Sequence, residues 1–165
     1  MDVLERQDRA GEDGWWRTWN TSWRPRHGDA RVLLSPVASS APELVGLLTA
    51  RLRDVPYLLA CPSEPARLAS SGAAVLHLSR PQALTPALQA ELAPVLRPDS
   101  PPLCLPVAPG IALAQYPDNG MSFGEHRGHL LALAFAVASG GATTLDAIAE
   151  VFTAHGIDPS APYRS

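Results

Sequence analysis

Lysine is missing from this chain of 165 residues; all 13 of its basic side chains are arginine. A side-chain amine is therefore excluded as nucleophile, Schiff-base former or general base. Cysteine is nearly as scarce. Cys61 and Cys104 make neither a zinc site nor a disulfide framework, and each falls in an apolar strand or at its edge, so two buried free thiols are expected. No run of 18 or more apolar residues exists, which excludes a hydrophobic membrane-spanning helix. The opening MDVLERQDRAGEDG is charged and lacks the apolar region of a signal peptide, so a cytoplasmic protein with no membrane partner is expected. A net charge of -3 provides no basic footprint for general nucleic-acid binding. No Ser-His-Asp order, glycine-rich phosphate loop, HExxH or CxxC is present, and no paired carboxylates suit glycoside chemistry.

What is there is an ordinary globular balance, with 46% hydrophobic and 18% charged residues, enough to bury one core. The chain is organised around Pro117 to Phe135. Pro117-Asp118-Asn119-Gly120 reads as a turn, and Ser122 with Glu125 three residues on is a capping box that starts a helix. Leu130, Leu131, Leu133, Ala134, Phe135 and Val137 cover nearly its whole circumference, which predicts a buried central helix over about 122–139. Its first turns hold Glu125, His126, Arg127 and His129. Free N–H groups, the helix dipole and Arg127 suit an anion such as phosphate. The plainer alternative has Arg127 paired only with Glu125 or a nearby carbonyl. A metal site from Glu125, His126 and His129 is not expected, since the carboxylate and His126 project to different sides of the helix and no further ligand is in place.

Ahead of that helix, residues 1–14 read as a frayed tail or short lead-in helix. Trp15, Trp16, Trp19 and Trp23 follow within nine residues, and Trp16, Trp19 and Trp23 have the spacing of a helical stripe ended by Pro25. Such a stripe seals a core; exposed beside Arg17, Arg24, Arg26 and His27, the tryptophans become a partner-binding surface. Residues 1–28 are thus a Trp-rich segment preceding a domain over 29–165. Arg31 to Pro36, Pro56 to Cys61, Ala73 to Leu78 and Gly110 to Tyr116 read as strands, with His77 inside the third. Pro42 to Arg53 and Pro81 to Leu96 read as amphipathic helices, and Pro98 to Pro109 as extended chain. Gly140-Gly141 closes the central helix, and Thr143 or Thr144 caps a last one through Ala154. The order predicts an α+β fold, a mixed sheet flanked by helices.

The run Ala108-Pro109-Gly110-Ile111-Ala112-Leu113-Ala114, followed by Pro117 and by Gly120-Met121-Ser122-Phe123-Gly124-Glu125-His126-Arg127, resembles the C-terminal signature of the HopA-type effector family. The closing Gly156 to Tyr163 is similar to the way those proteins end, and the likeness runs from roughly Val55 to Ser165. Family members occur as type III effectors. Relatives stand beside a small phosphotransferase-like kinase in thioamitide and class V lanthipeptide pathways. There the kinase phosphorylates Ser and Thr of a ribosomal precursor peptide, and the HopA-like protein is assigned phosphate elimination. The resemblance thus implies two partners, kinase and precursor peptide, and no cofactor. It implies a phosphate clamp at Arg127, Arg67 and Ser122, with His126, His129 or His77 as proton carriers. This chain has Ala60-Cys61 where the family tends to show Lys, Arg67-Leu68-Ala69 where it tends to show Arg-x-Asp, and His77 where Tyr is expected.

Three readings follow. The chain is a phosphoSer/phosphoThr lyase, a non-catalytic partner that binds kinase or peptide, or a type III effector acting on host proteins. The high Pro and Ala content and the lack of a Ser-rich start count against the last.

Overall fold

The computed structural model describes residues 6–20, 23–24, 31–117, 119–139, 141 and 143–164. Within them the chain runs β1 (Arg6–Ala10), β2 (Trp15–Asn20), β3 (Arg31–Leu34), α1 (Ala41–Arg51), β4 (Tyr57–Pro62), β5 (Ala74–Leu78), α2 (Pro86–Leu92), β6 (Leu105–Ala108), β7 (Ile111–Ala114), α3 (Phe123–Ala138) and α4 (Thr144–Ala154). The strands form one seven-stranded sheet in the order β1-β2-β4-β5-β3-β7-β6. This is an α+β fold, but every pairing is antiparallel, where a mixed sheet was expected. The reason lies in one insertion. β3 and β4 are joined through α1 and run parallel to each other, but β5 lies between them and pairs antiparallel with both.

Side chains alternate across the strands, so each strand divides its residues between two faces. One face carries Val32, Leu34, Tyr57, Leu59, Leu76, Leu78 and Ile111, which pack with Leu44, Leu48 and Leu52 of the α1 region and Leu88 and Leu92 of α2 into the main core. The opposite face carries Arg31, Leu33, Val75 and His77, in register across β3 and β5. A second, smaller core lies between α3 and α4, built from Leu130, Ala134, Ala147, Val151, Phe152 and Ile157, with Leu103 packed against it.

The Trp-rich stretch is a strand, correcting the helical stripe. Glu12 and Asp13 lead into Gly14, whose φ of +76° turns the chain back from β1, and the Asp13 carboxylate accepts from Trp15 N at 3.2 Å. β2 then pairs with β4 from Trp15–Pro62 to Trp19–Leu58. In a strand the spacing of Trp16, Trp19 and Trp23 does not keep them on one side; alternation puts Trp15 and Trp19 on one face and Trp16 on the other. Residues 6–10 are likewise a strand and no lead-in helix. Pro25, Arg26, His27 and the expected segment boundary at 28–29 lie outside the described residues, as do Asp118 and Gly140 of the expected turn and cap.

The expected helix over 81–96 is broken up: 3-10 turns at Pro81–Ala83 and Ala93–Val95 bracket α2. Thr85 is its N-cap, accepting from Leu88 N at 3.2 Å, and Pro86 sits at the first helical position, where it has no N–H to waste. The central helix starts as expected but is not buried. Phe123, Arg127, Leu130 and Ala134 face inward, whereas Leu133, Phe135 and Val137 are 37%, 55% and 42% exposed. Its circumference is apolar all round, yet the second core packs on one side alone. α4 is capped by Thr143, accepting from Asp146 N at 3.2 Å. No helix among the described residues is long and apolar enough to cross a membrane.

Candidate functional site

α3 begins where the sequence places its start. Ser122 Oγ accepts from Glu125 N at 3.2 Å, and Ser122 N donates to Glu125 Oε2 at 2.8 Å, a complete capping box. The Glu125 carboxylate, held by the Ser122 hydroxyl and backbone N–H, titrates below its ordinary value. The face of α3 that follows this cap looks across a cavity at the second face of the sheet. The cavity has a volume of about 430 Å³ and is lined by Ser122, Phe123, Gly124, Arg127, Gly128 and Leu131 of α3 and its cap. Trp15, Arg31, Leu33 and Val75 line it from the sheet, and Pro101 to Cys104 from the proline-dense segment. Its walls are mostly apolar, and among the described residues its charged lining is the two arginines, with no carboxylate or imidazole.

The two arginines are in different situations. Arg127 is 2% exposed and its guanidinium is committed. Nε donates to the Pro162 carbonyl at 2.7 Å, Nη2 to the carbonyl of Arg164, and Nη1 to His126 Nδ1 at 2.7 Å, with the Phe123 ring 4.9 Å away. Because arginine has no acceptor, Nδ1 of His126 must accept, which makes that ring neutral with its proton on Nε2. Burial is the first cause that holds the His126 pKa below its ordinary value, and Arg127 the second. Burial also lowers the pKa of Arg127, with Cys104 acting in the opposite sense.

Arg31 opens an interior strand, opposite His77 on β5 and Ala114 on β7. Its guanidinium lies over the Tyr116 ring at 3.8 Å, a cation–π contact, while its buried Nε makes no hydrogen bond among the described residues. A buried donor left unpaired costs about 1–3 kcal/mol. Burial lowers the Arg31 pKa and Tyr116 raises it. Cys104 lines the same cavity, its thiol pushed by burial up to about 11; Cys61, buried in β4, is pushed up to about 12.

Of the residues singled out from sequence, Ser122, Arg127 and Trp15 line this one cavity. Arg67 stands beside it, its guanidinium 5.0 Å from the Trp15 ring and Nη1 donating to Gly14 O at 3.5 Å. The three histidines are not among the lining residues. His126 is bound to Arg127, His129 is exposed on α3, and His77 packs edge-on against Trp23 at 5.9 Å. Burial, with Arg31 and Arg17 nearby, depresses the His77 pKa to about 4. Trp16 packs partly against the main core, and Trp19 and Trp23 line a separate groove with Arg9, Arg17 and Leu58. Sequence reasoning missed Arg31, Tyr116 and the cavity position of Cys104. The available signal was an arginine opening an apolar strand on the same side as Leu33, with a tyrosine just past the end of the strand that pairs with it. No group of three or more His, Cys, Asp or Glu comes together among the described residues.

Residues 20–164 match the profile of the HopA1 effector protein family. No curated protein matches the chain. Among solved structures, the effector protein from Pseudomonas syringae pv. tomato strain DC3000 superposes with a TM-score of 0.72 at 15% identity, over 93% of this chain and 65% of that one. The effector protein from Pseudomonas syringae pv. syringae strain 61 does so with a TM-score of 0.66 at 15% identity, over 90% of this chain and 62% of that one. The chain therefore spans less than two thirds of either relative's length, and at this identity the likeness is one of fold.

Proposed function

The chain belongs to the HopA1 effector protein family, and on that premise we propose that it is the HopA-like component of a two-protein dehydratase, cytoplasmic and paired with a small phosphotransferase-like kinase. The kinase phosphorylates Ser or Thr of a ribosomal precursor peptide, as in thioamitide and class V lanthipeptide pathways, and this chain promotes loss of the phosphate. Elimination breaks the Cα–H and Cβ–O bonds. A base takes the proton, the Cα=Cβ bond forms, and phosphate departs with the Cβ–O electron pair. The observation that carries the reading is the charge of the cavity, which among the described residues is lined by two arginines and no carboxylate, between apolar walls large enough for a phosphorylated residue and its neighbours. Its own residues hold the departing phosphate, shield it from water, and fix the start of α3 through the capping box.

The same lining residues favour a second reading. Among the described residues they include no amine, imidazole or carboxylate to take the α-proton, and the Cys104 thiol is protonated at neutral pH. On that reading the chain is a non-catalytic partner that binds the phosphorylated peptide and the kinase, and the lyase chemistry has been lost. One experiment separates the two. Precursor peptide, kinase and ATP are combined with and without this protein, and the peptide is weighed by mass spectrometry. Conversion of the phosphopeptide to a species one water lighter than the precursor supports the lyase. A stable complex with no water loss supports the partner, and neither complex nor conversion removes both.

A further inference from the structure

We propose that Arg31 is the anion-recognising residue of the cavity and that its ligand is the phosphate of a phosphorylated Ser or Thr side chain. The inference rests on the reading of the cavity as a phosphopeptide site and names the residue that makes it one. Both arginines line the same space, but they are not equivalent. Arg127 spends its nitrogens on the carbonyls of Pro162 and Arg164 and on His126, so its charge is bound into the protein's own frame. Arg31 has the Tyr116 ring against its flat face and a buried Nε with no hydrogen bond among the described residues. A guanidinium stacked on a ring keeps its N–H edge available, and that edge matches two phosphate oxygens in a bidentate pair.

Position makes the contact selective. β3 is interior, held on one side by β5 and on the other by β7, so Arg31 is fixed at the backbone on both edges. Taking the guanidinium out of water disfavours its charge, as the direction of its pKa shift reflects. A phosphate dianion offsets that penalty, whereas a neutral hydroxyl does not. Discrimination between Ser-phosphate and Ser therefore arises from Arg31. The cavity, about 430 Å³ with Leu33, Val75, Phe123 and Leu131 on its walls, exceeds the size of a bare phosphate and fits apolar atoms of the residues beside it. A peptide-borne phosphate monoester is thus favoured over free phosphate.

The test is calorimetric titration of the full chain with a Ser-phosphorylated peptide, its unphosphorylated twin and inorganic phosphate, each protein checked by thermal melting. The wild type should bind the phosphopeptide best. Arg31→Met, which keeps the apolar stem, should weaken phosphopeptide binding at least tenfold and leave the twin unchanged. Arg31→Lys, which keeps the charge without the planar fork, should fall between them and serves if Arg31→Met does not fold. Arg127→Met should lose thermal stability, because its bonds to Pro162, Arg164 and His126 are gone. Equal phosphopeptide affinity in wild type and folded Arg31→Met overturns the assignment, as does a wild type that does not distinguish the two peptides. Inorganic phosphate binding as tightly as the phosphopeptide overturns the peptide ligand. Reduced binding in Arg31→Met alongside no water loss by the wild type keeps this inference and removes the lyase. Undiminished water loss by Arg31→Met does the reverse.

Discussion

Arg127 Nε donates to the carbonyl oxygen of Pro162 at 2.7 Å, so the second turn of α3 holds the C-terminal tail 35 residues further on. Arg164 O accepts from the same guanidinium, and Gln115 N, just past β7, donates to Tyr163 O at 2.8 Å. The tail is thereby tied to helix and sheet through its own carbonyls. Arg127→Ala should leave these carbonyls and His126 without their donor and lower stability by about 3 kcal/mol. For a domain of this size that is a fall in Tm of roughly 10 °C. Calorimetry of the variant checks it, and an unchanged melt would show that the tail is held by its other contacts.

The capping box gives a smaller effect. Ser122→Ala removes the acceptor for Glu125 N and should cost about 1 kcal/mol, read as a lower denaturant midpoint at unchanged slope. Ser122→Asp keeps an acceptor at the cap and should recover most of the loss.

Acid sensitivity should follow His77. Its native pKa is about 4, depressed first by burial and then by Arg31 and Arg17, against about 6.5 in the unfolded chain. The unfolded state therefore binds the proton first. His77 contributes its full stability above pH ~6.5 and loses up to about 3 kcal/mol as the pH falls toward ~4. His126, lowered as well, adds in the same direction. His77→Leu should flatten the fall of Tm between pH 6.5 and 4.5. A variant whose acid limb is as steep as the wild type's would assign the loss to other groups.

Gly110 begins the turn into β7 with a φ of +74°, and a Cβ there would meet the Arg97 carbonyl oxygen at 2.2 Å. Backbone strain and collision add, so Gly110→Ala should destabilise by about 3 kcal/mol or more. Gly14→Ala, with φ of +76° and only the end of the flexible Arg67 side chain close by, should cost nearer ~1 kcal/mol. Paired chemical denaturation curves check the ranking. Equal losses would mean that the Arg97 carbonyl moves aside.

Cysteine reactivity supplies a probe of the cavity. Burial raises the Cys104 thiol to about 11, so its thiolate fraction at neutral pH is roughly 100-fold below that of an ordinary thiol. Alkylation at pH 7.5 should be slow at Cys104 and absent at buried Cys61 until the protein unfolds. Peptide mapping after timed labelling reads both rates, and fast Cys104 labelling would mean a more open cavity.

Local signals were legible. Ser122 with Glu125 declared the start of α3, the Thr143-Thr144 pair that of α4, and the apolar runs at Leu58 and Leu76 their strands, because caps and short apolar runs act within a few residues. The Trp stretch misled for the same reason: its helical spacing is real, but the turn before it and the pairing of Trp16 with Cys61 decided the outcome.

By itself the sequence determined that no lysine or metal-type motif is available, that helices begin at Ser122 and at Thr143 or Thr144, and that the family signature runs through Gly120 to Arg127. Tertiary structure alone decided which arginine ties down the C-terminal tail and which stacks on Tyr116 with its Nε unpaired among the described residues. Arg127 was the visible candidate, yet its donors go to carbonyls 35 and 37 residues away, and any residue, proline included, would present the same carbonyl. Arg31 looked like the first residue of an ordinary strand. Its place in the cavity comes from antiparallel pairing on both sides and from Tyr116 folding over it. Backbone acceptors carry no side-chain signature and sheet neighbours are chosen by topology, so neither is written in local spacing.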